Sequence, residues 1–355
     1  MNTAQSSSSL HAPLVRGRVP RKLVGVAALA LGLGALAPVA VADTAELRLA
    51  TIAPSESDWG KVLAKGGAEI TSATGGRVKI NYYMDGTQGG ENDYVKKMKS
   101  GALDGAGLTA VGLSQIEESI RVLELPMMFD SIDELDYVAD KMWSSFQAKF
   151  EKKGFKLNDR GDVGWIHVLS KSKVDSMASM RGLKLWQYGA DSVYGPLYKK
   201  LGLSGVSLDI GEVDSALGSG RINACYGSPL AATALQWASK VKFMMKQPIN
   251  FAISATVIRA DALTKISADD QKAMAKVAKS MGKKLRKIIR KRNEDSKKTM
   301  TRMGVQIVDT PAAMVDELRK SAEALWTELV GKVYSQKDLD TVLKHRAAYR
   351  AKHPK

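Results

Sequence analysis

From Leu47 onward the chain alternates short apolar, β-branched runs with amphipathic segments of helical period, and no other feature restricts its fold as much. Residues 47–53 alternate as a strand, 59–70 carry helical spacing, and Gly75-Gly76 turns the chain into a strand over 78–84. A helix over 91–99, a strand near 103–108, the apolar corner Leu123-Glu-Leu-Pro-Met-Met-Phe129 and a helix over 132–152 continue the series. Such alternation predicts an α/β fold, a mixed sheet with helices on both faces. From Val163 the pattern restarts, with strands over 165–169, 183–187, 206–208 and 222–226 and helices over 192–201, 213–218 and 231–239. A second sheet domain is implied. The extended stretch 243–258 reads as the return strand to the first domain, and two crossings make a hinge.

Ser267-Ala-Asp-Asp270 is a helix start, with Ser267 as cap and acids where the helix dipole favours them. Met274, Val277, Ala278, Met281, Leu285, Ile288 and Ile289 then hold one apolar stripe, which predicts a long one-sided helix to about Met303. Asp309-Thr-Pro311 precedes a helix over 312–329 and a polar basic tail. The expected organisation is 43–162 plus 253–266 as the first α/β domain, 163–252 as the second, 267–303 as the helix between them, and 304–355 as a helical segment and tail.

The start of the chain is of another kind. Arg16, Arg18, Arg21 and Lys22 precede an apolar run over 23–37 and an Ala40-Val41-Ala42 site before Asp43, the three-part pattern of a cleavable export signal. The run is shorter than the ~20 residues of a comfortable bilayer span. Cleavage is expected after Ala42, giving a periplasmic protein with no cysteine at the junction to take a lipid. Losing those four cations lowers Lys+Arg from 53 to 49 against 37 acids. The excess is local, because thirteen cations and two acids lie between Lys272 and Arg302.

Little in the chain points to catalysis. Beyond the export segment only His167, His345 and His353 occur, in no metal-ligand spacing, and there is neither a G-x-S-x-G elbow nor a phosphate loop. The lone Cys225 falls in an apolar strand and the acid pairs Glu117-Glu118 and Asp269-Asp270 on helix surfaces. No enzyme, cofactor or metal is expected.

Three segments resemble the solute-binding proteins of TRAP transporters, the DctP family: Gly86-Thr-Gln-Gly-Gly-Glu91 after a strand, the Leu123 to Phe129 corner, and Gly211-Glu-Val-Asp-Ser-Ala-Leu-Gly-Ser-Gly-Arg-Ile-Asn-Ala224. The segment around Leu183-Lys-Leu and the long helix after Ser267 extend the similarity over nearly all of the chain beyond the signal. The resemblance implies a two-domain periplasmic-binding-protein-like clamshell with a long interdomain helix, a small-molecule ligand, and membrane permease subunits as partners. It also exposes a departure. The family's carboxylate-binding arginine falls by register on Trp186, and a second arginine on Trp165. A tryptophan offers one neutral N–H and an apolar face where arginine offers two charge-assisted hydrogen bonds. The expected ligand-binding set is therefore Trp165, Trp186, Tyr188, Tyr226 and Ser228, with Gln88 and Glu91 facing them, and the expected ligand hydrophobic or aromatic. Two alternatives stand beside it. One is an organic acid met by Lys184 or backbone N–H groups, and the other is anionic-surface binding by the basic helix. Nucleic acid is not an expected partner, since no aromatic residue is interleaved with those cations.

Overall fold

The structure is a computed structural model describing residues 44–189 and 191–354, the side chain of Asp159 excepted. The expected export signal and its cleavage point lie outside the described residues. Among the described residues there are ten strands: β1 (Ala45–Thr51), β2 (Val78–Tyr83), β3 (Gly105–Thr109), β4 (Phe155–Ser170), β5 (Lys184–Tyr188), β6 (Ser204–Leu208), β7 (Ala224–Gly227), β8 (Phe243–Met245), β9 (Asn250–Arg259) and β10 (Gln306–Val308). They run in the order β2-β1-β3-β9-β4-β7-β5-β6, with β8 paired to β4 and β10 to β8.

The first lobe is built on β1, which pairs in parallel with β2 (Ala45 with Val78 through Ala50 with Tyr83) and with β3 (Leu49 with Gly105). The second has β5 parallel to both β6 and β7. What joins them is β4, a 16-residue strand. Phe155 to Ile166 pair with β9, and His167 to Ser170 with β7. The division expected at residues 162 and 163 thus falls inside one continuous strand. Two register shifts, between Leu157 and Arg160 and between Asp162 and Gly164, bend it there.

β4 begins ten residues before the strand the sequence suggests. The polar Asn-Asp-Arg-Gly-Asp stretch carries no strand signal, yet Arg160 and Asp162 are buried and paired with each other and with Asp136 and Arg290. Gly164, at φ +127°, lies where the long helix crosses the strand. A Cβ there would sit 2.6 Å from Asn293 Nδ2, so only glycine fits.

That helix, Ala268–Arg302, has the expected bounds to within a residue, and Ser267 Oγ accepts from Asp270 N. Asn293 fastens it to the joining strand β4 and to the second lobe, donating to Val163 O and accepting from Leu230 N. The polar tail expected after residue 329 is not a tail: Gln336–Lys352 is a helix with a Ser335–Asp338 capping box. Leu339 and Val342 are buried, and ion pairs of Asp338 with Lys149 and Arg350 with Glu134 fix it to the helix Ile132–Lys152. Its apolar positions are too few for a helical period to be read. The helix expected over 231–239 is also divided, into Pro229–Ala234 and a 3-10 turn at Trp237–Ser239.

Candidate ligand-binding site

The carboxyl ends of β1 and β3 open into a cavity of about 210 Å³, the place where α/β sheets commonly receive ligands. Ile52, Trp59 and Leu63 wall it from the first lobe, Met274, Ala278, Met281 and Leu285 from the long helix, and Ile210, Ala231 and Leu235 from the second lobe. Polar lining is limited to a few hydroxyls, the amides of Asn158 and Gln271, exposed Lys156 and buried Glu91.

Glu91 opens the helix Glu91–Lys99. Its Oε1 accepts from Thr109 N (2.6 Å), and its Oε2 from Thr109 Oγ1 (2.7 Å), Gly112 N (3.1 Å) and Tyr188 OH (3.3 Å). Burial pushes its pKa up against the pull of those four donors. The Tyr188 contact ties the first lobe to the second.

Of the residues expected in the site, Glu91 lines this cavity and the others lie elsewhere. Trp186 is 2% exposed, and its Nε1 donates to Leu208 O at 2.9 Å. Tyr226 is stacked between Trp186, at 4.7 Å between ring centroids, and Tyr194, at 4.4 Å. Tyr188 and Trp237 also pack against the Trp186 ring, at 5.6 and 5.5 Å between centroids. Tyr226 OH accepts from Tyr188 N, and buried Ser228 caps the helix Pro229–Ala234 by accepting from Ala231 N. Gln88 folds back, both of its carbonyl oxygens accepting from Lys97 Nζ. Half-buried Trp165 lies edge-on to Phe251 and lines a separate surface opening beside Arg290 and Pro248. The aromatic residues therefore form a packed group beside the cavity, with the Trp186 and Tyr226 faces occupied by one another.

Residues 49–332 match the family model of the bacterial extracellular solute-binding proteins, family 7, or DctP. The chain belongs to that family. Among curated relatives, it is 24% identical to an uncharacterised protein of Salmonella typhimurium and 27% identical to a solute-binding protein of Chromohalobacter salexigens. These matches cover 47% and 57% of this chain, and the chain spans only 52% and 61% of the relatives' lengths. Its fold is similar to that of a TRAP periplasmic solute-binding protein from Haemophilus influenzae with bound L-gulonate, with a TM-score of 0.79 and 20% identity over 85% of this chain and 99% of the other.

Where the DctP resemblance places an arginine, this member has Trp186, and a different guanidinium lies close by. Arg121, 1% exposed, donates from Nη1 to Glu124 Oε2 (2.8 Å) and from Nη2 to both carboxylate oxygens of Asp191 (2.9 and 3.0 Å). Asp191 also accepts from Val193 N and Tyr194 N, and Glu124 from Ile253 N. Burial pushes the Glu124 carboxyl up to about 7. This ion triad links the lobes and leaves the charge of Arg121 matched by two acids. The sequence did hold a sign of it, a single arginine inside the apolar run Ile120-Arg-Val-Leu123, where burial demands a partner.

Proposed function

We propose that the protein is the extracytoplasmic receptor of a TRAP-type transporter, binding a hydrophobic or aromatic solute in the cavity at the ends of β1 and β3 and passing it to membrane permease subunits. It acts by capture and release, without chemistry on the ligand. The observation that carries the ligand class is the apolar wall contributed by both lobes and the long helix. Covering about 200 Å² of apolar ligand surface contributes roughly 5 kcal/mol. An acid placed against the same wall would cost several kcal/mol in desolvation unless a cation met it. Arg121 is already matched by Glu124 and Asp191, and Lys184 is exposed and outside the lining.

One observation favours a second reading, because Lys156 does line the cavity. An organic acid with an apolar body and its carboxylate toward Lys156 would satisfy both features. The test is a thermal-shift screen of aromatic and aliphatic compounds beside L-gulonate and succinate, since a ligand bound only by the native state raises the melting temperature. Apolar compounds are expected to raise it, and an Ala278→Phe substitution, which fills the cavity, to abolish the rise. Stabilisation by hydrophilic acids alone would reject the apolar ligand.

A further inference from the structure

Lys276, Lys283, Lys287, Lys291 and Lys298 fall within about 80° of one another around the long helix, at 100° per residue, and across from Met274, Ala278, Met281 and Leu285 of the cavity wall. All five are exposed, and none has an ion-pair partner among the described residues. At 1.5 Å per residue they mark a straight edge about 33 Å long. Glu294 stands in the same arc, so the edge keeps a strong positive excess.

Three of the four arginines of this helix reach across to other elements, and the fourth, exposed Arg302, donates to Thr299 Oγ1 at its end. Arg286 donates to Arg160 O, Arg290 pairs with Asp162 (2.6 Å) and Asp136 (2.7 Å), and Arg292 with Asp58 (2.8 Å). These contacts, with those of Asn293, stop the helix from rolling and hold the lysine edge toward solvent.

We propose that this edge docks on an anionic lipid surface, through the phosphodiester headgroups of the membrane leaflet the protein faces. A straight row of cations along 33 Å of helix matches a planar array of anions, whereas one small anion could engage only neighbouring lysines about 6 Å apart. Protein interfaces are enriched in arginine and aromatic residues and depleted in lysine. This edge is built of lysine, and the helix contains no aromatic residue. Stacking platforms for nucleic acid are missing for the same reason. The proposal rests on the receptor reading for the membrane it meets, and lipid binding and solute binding are measured separately.

The test uses protein recovered from the periplasm of an expressing cell and sedimented with vesicles of phosphatidylcholine alone or with about one-third phosphatidylglycerol. Binding is expected to the anionic vesicles at low salt, to be lost at molar salt, and to be absent on neutral ones. Each cation multiplies partitioning roughly fivefold, so a K276Q/K283Q/K287Q/K291Q/K298Q variant should lose at least about 100-fold. Its melting temperature and solute-induced thermal shift should stay as in the parent. Equal partitioning on both vesicles, or undiminished binding by the variant, overturns the proposal. So does release from vesicles by millimolar inorganic phosphate, which would indicate a discrete phosphate site, or DNA binding that outlasts the added salt.

Discussion

Arg121 sits between two acids that its removal would strand. An Arg121→Met substitution is expected to destabilise the fold by about 3–5 kcal/mol at pH 8, as an uncompensated buried charge does. The loss should shrink at pH 5.5, because Glu124, already raised to about 7 by burial, can take up a proton. Urea denaturation at the two pH values checks this, and equal losses would mean that Glu124 does not titrate there. His167 gives the opposite dependence. Its Nδ1 lies 2.9 Å from Met245 O, and burial pushes its pKa down to about 4. Between its ordinary value near 6.5 and about 4 the unfolded chain binds more protons, so stability falls as pH drops through that window, by about 3 kcal/mol in all. Denaturation curves of the parent and of His167→Gln across that window should diverge accordingly, the variant lacking this share of the acid sensitivity.

At the scale of elements, the helix Gln336–Lys352 rests on a cap more than on an apolar stripe. Ser335→Ala removes the Ser335 Oγ acceptor for Asp338 N and is expected to cost about 1 kcal/mol, read as a lower midpoint in urea. The long helix was legible from its sequence because a cap, first-turn acids and a one-sided stripe all agree. The first half of β4 was not, since its polarity disguises charges that are buried in pairs, and the last helix was not, because ion pairs take the place of periodicity. Family register located the second-lobe aromatic residues, yet register alone says nothing about which ring covers which. Trp186, Tyr226 and Tyr194 close on one another, while the cavity is walled by Met, Leu and Ala side chains that read in the sequence as ordinary core.

Across the whole molecule, β4, β9 and the long helix connect the lobes, and the Arg121–Asp191 and Tyr188–Glu91 contacts hold them together across the gap. Ligand charge has little to meet in that arrangement, whereas apolar surface has a cavity of about 210 Å³ reached from both lobes and the helix. Native mass spectrometry of the protein taken gently from its own host, with the released small molecule identified after denaturation, tests this most directly. An apolar or aromatic compound, absent from the Ala278→Phe variant, is the expected result. A sugar acid or dicarboxylate still held by that variant would contradict it.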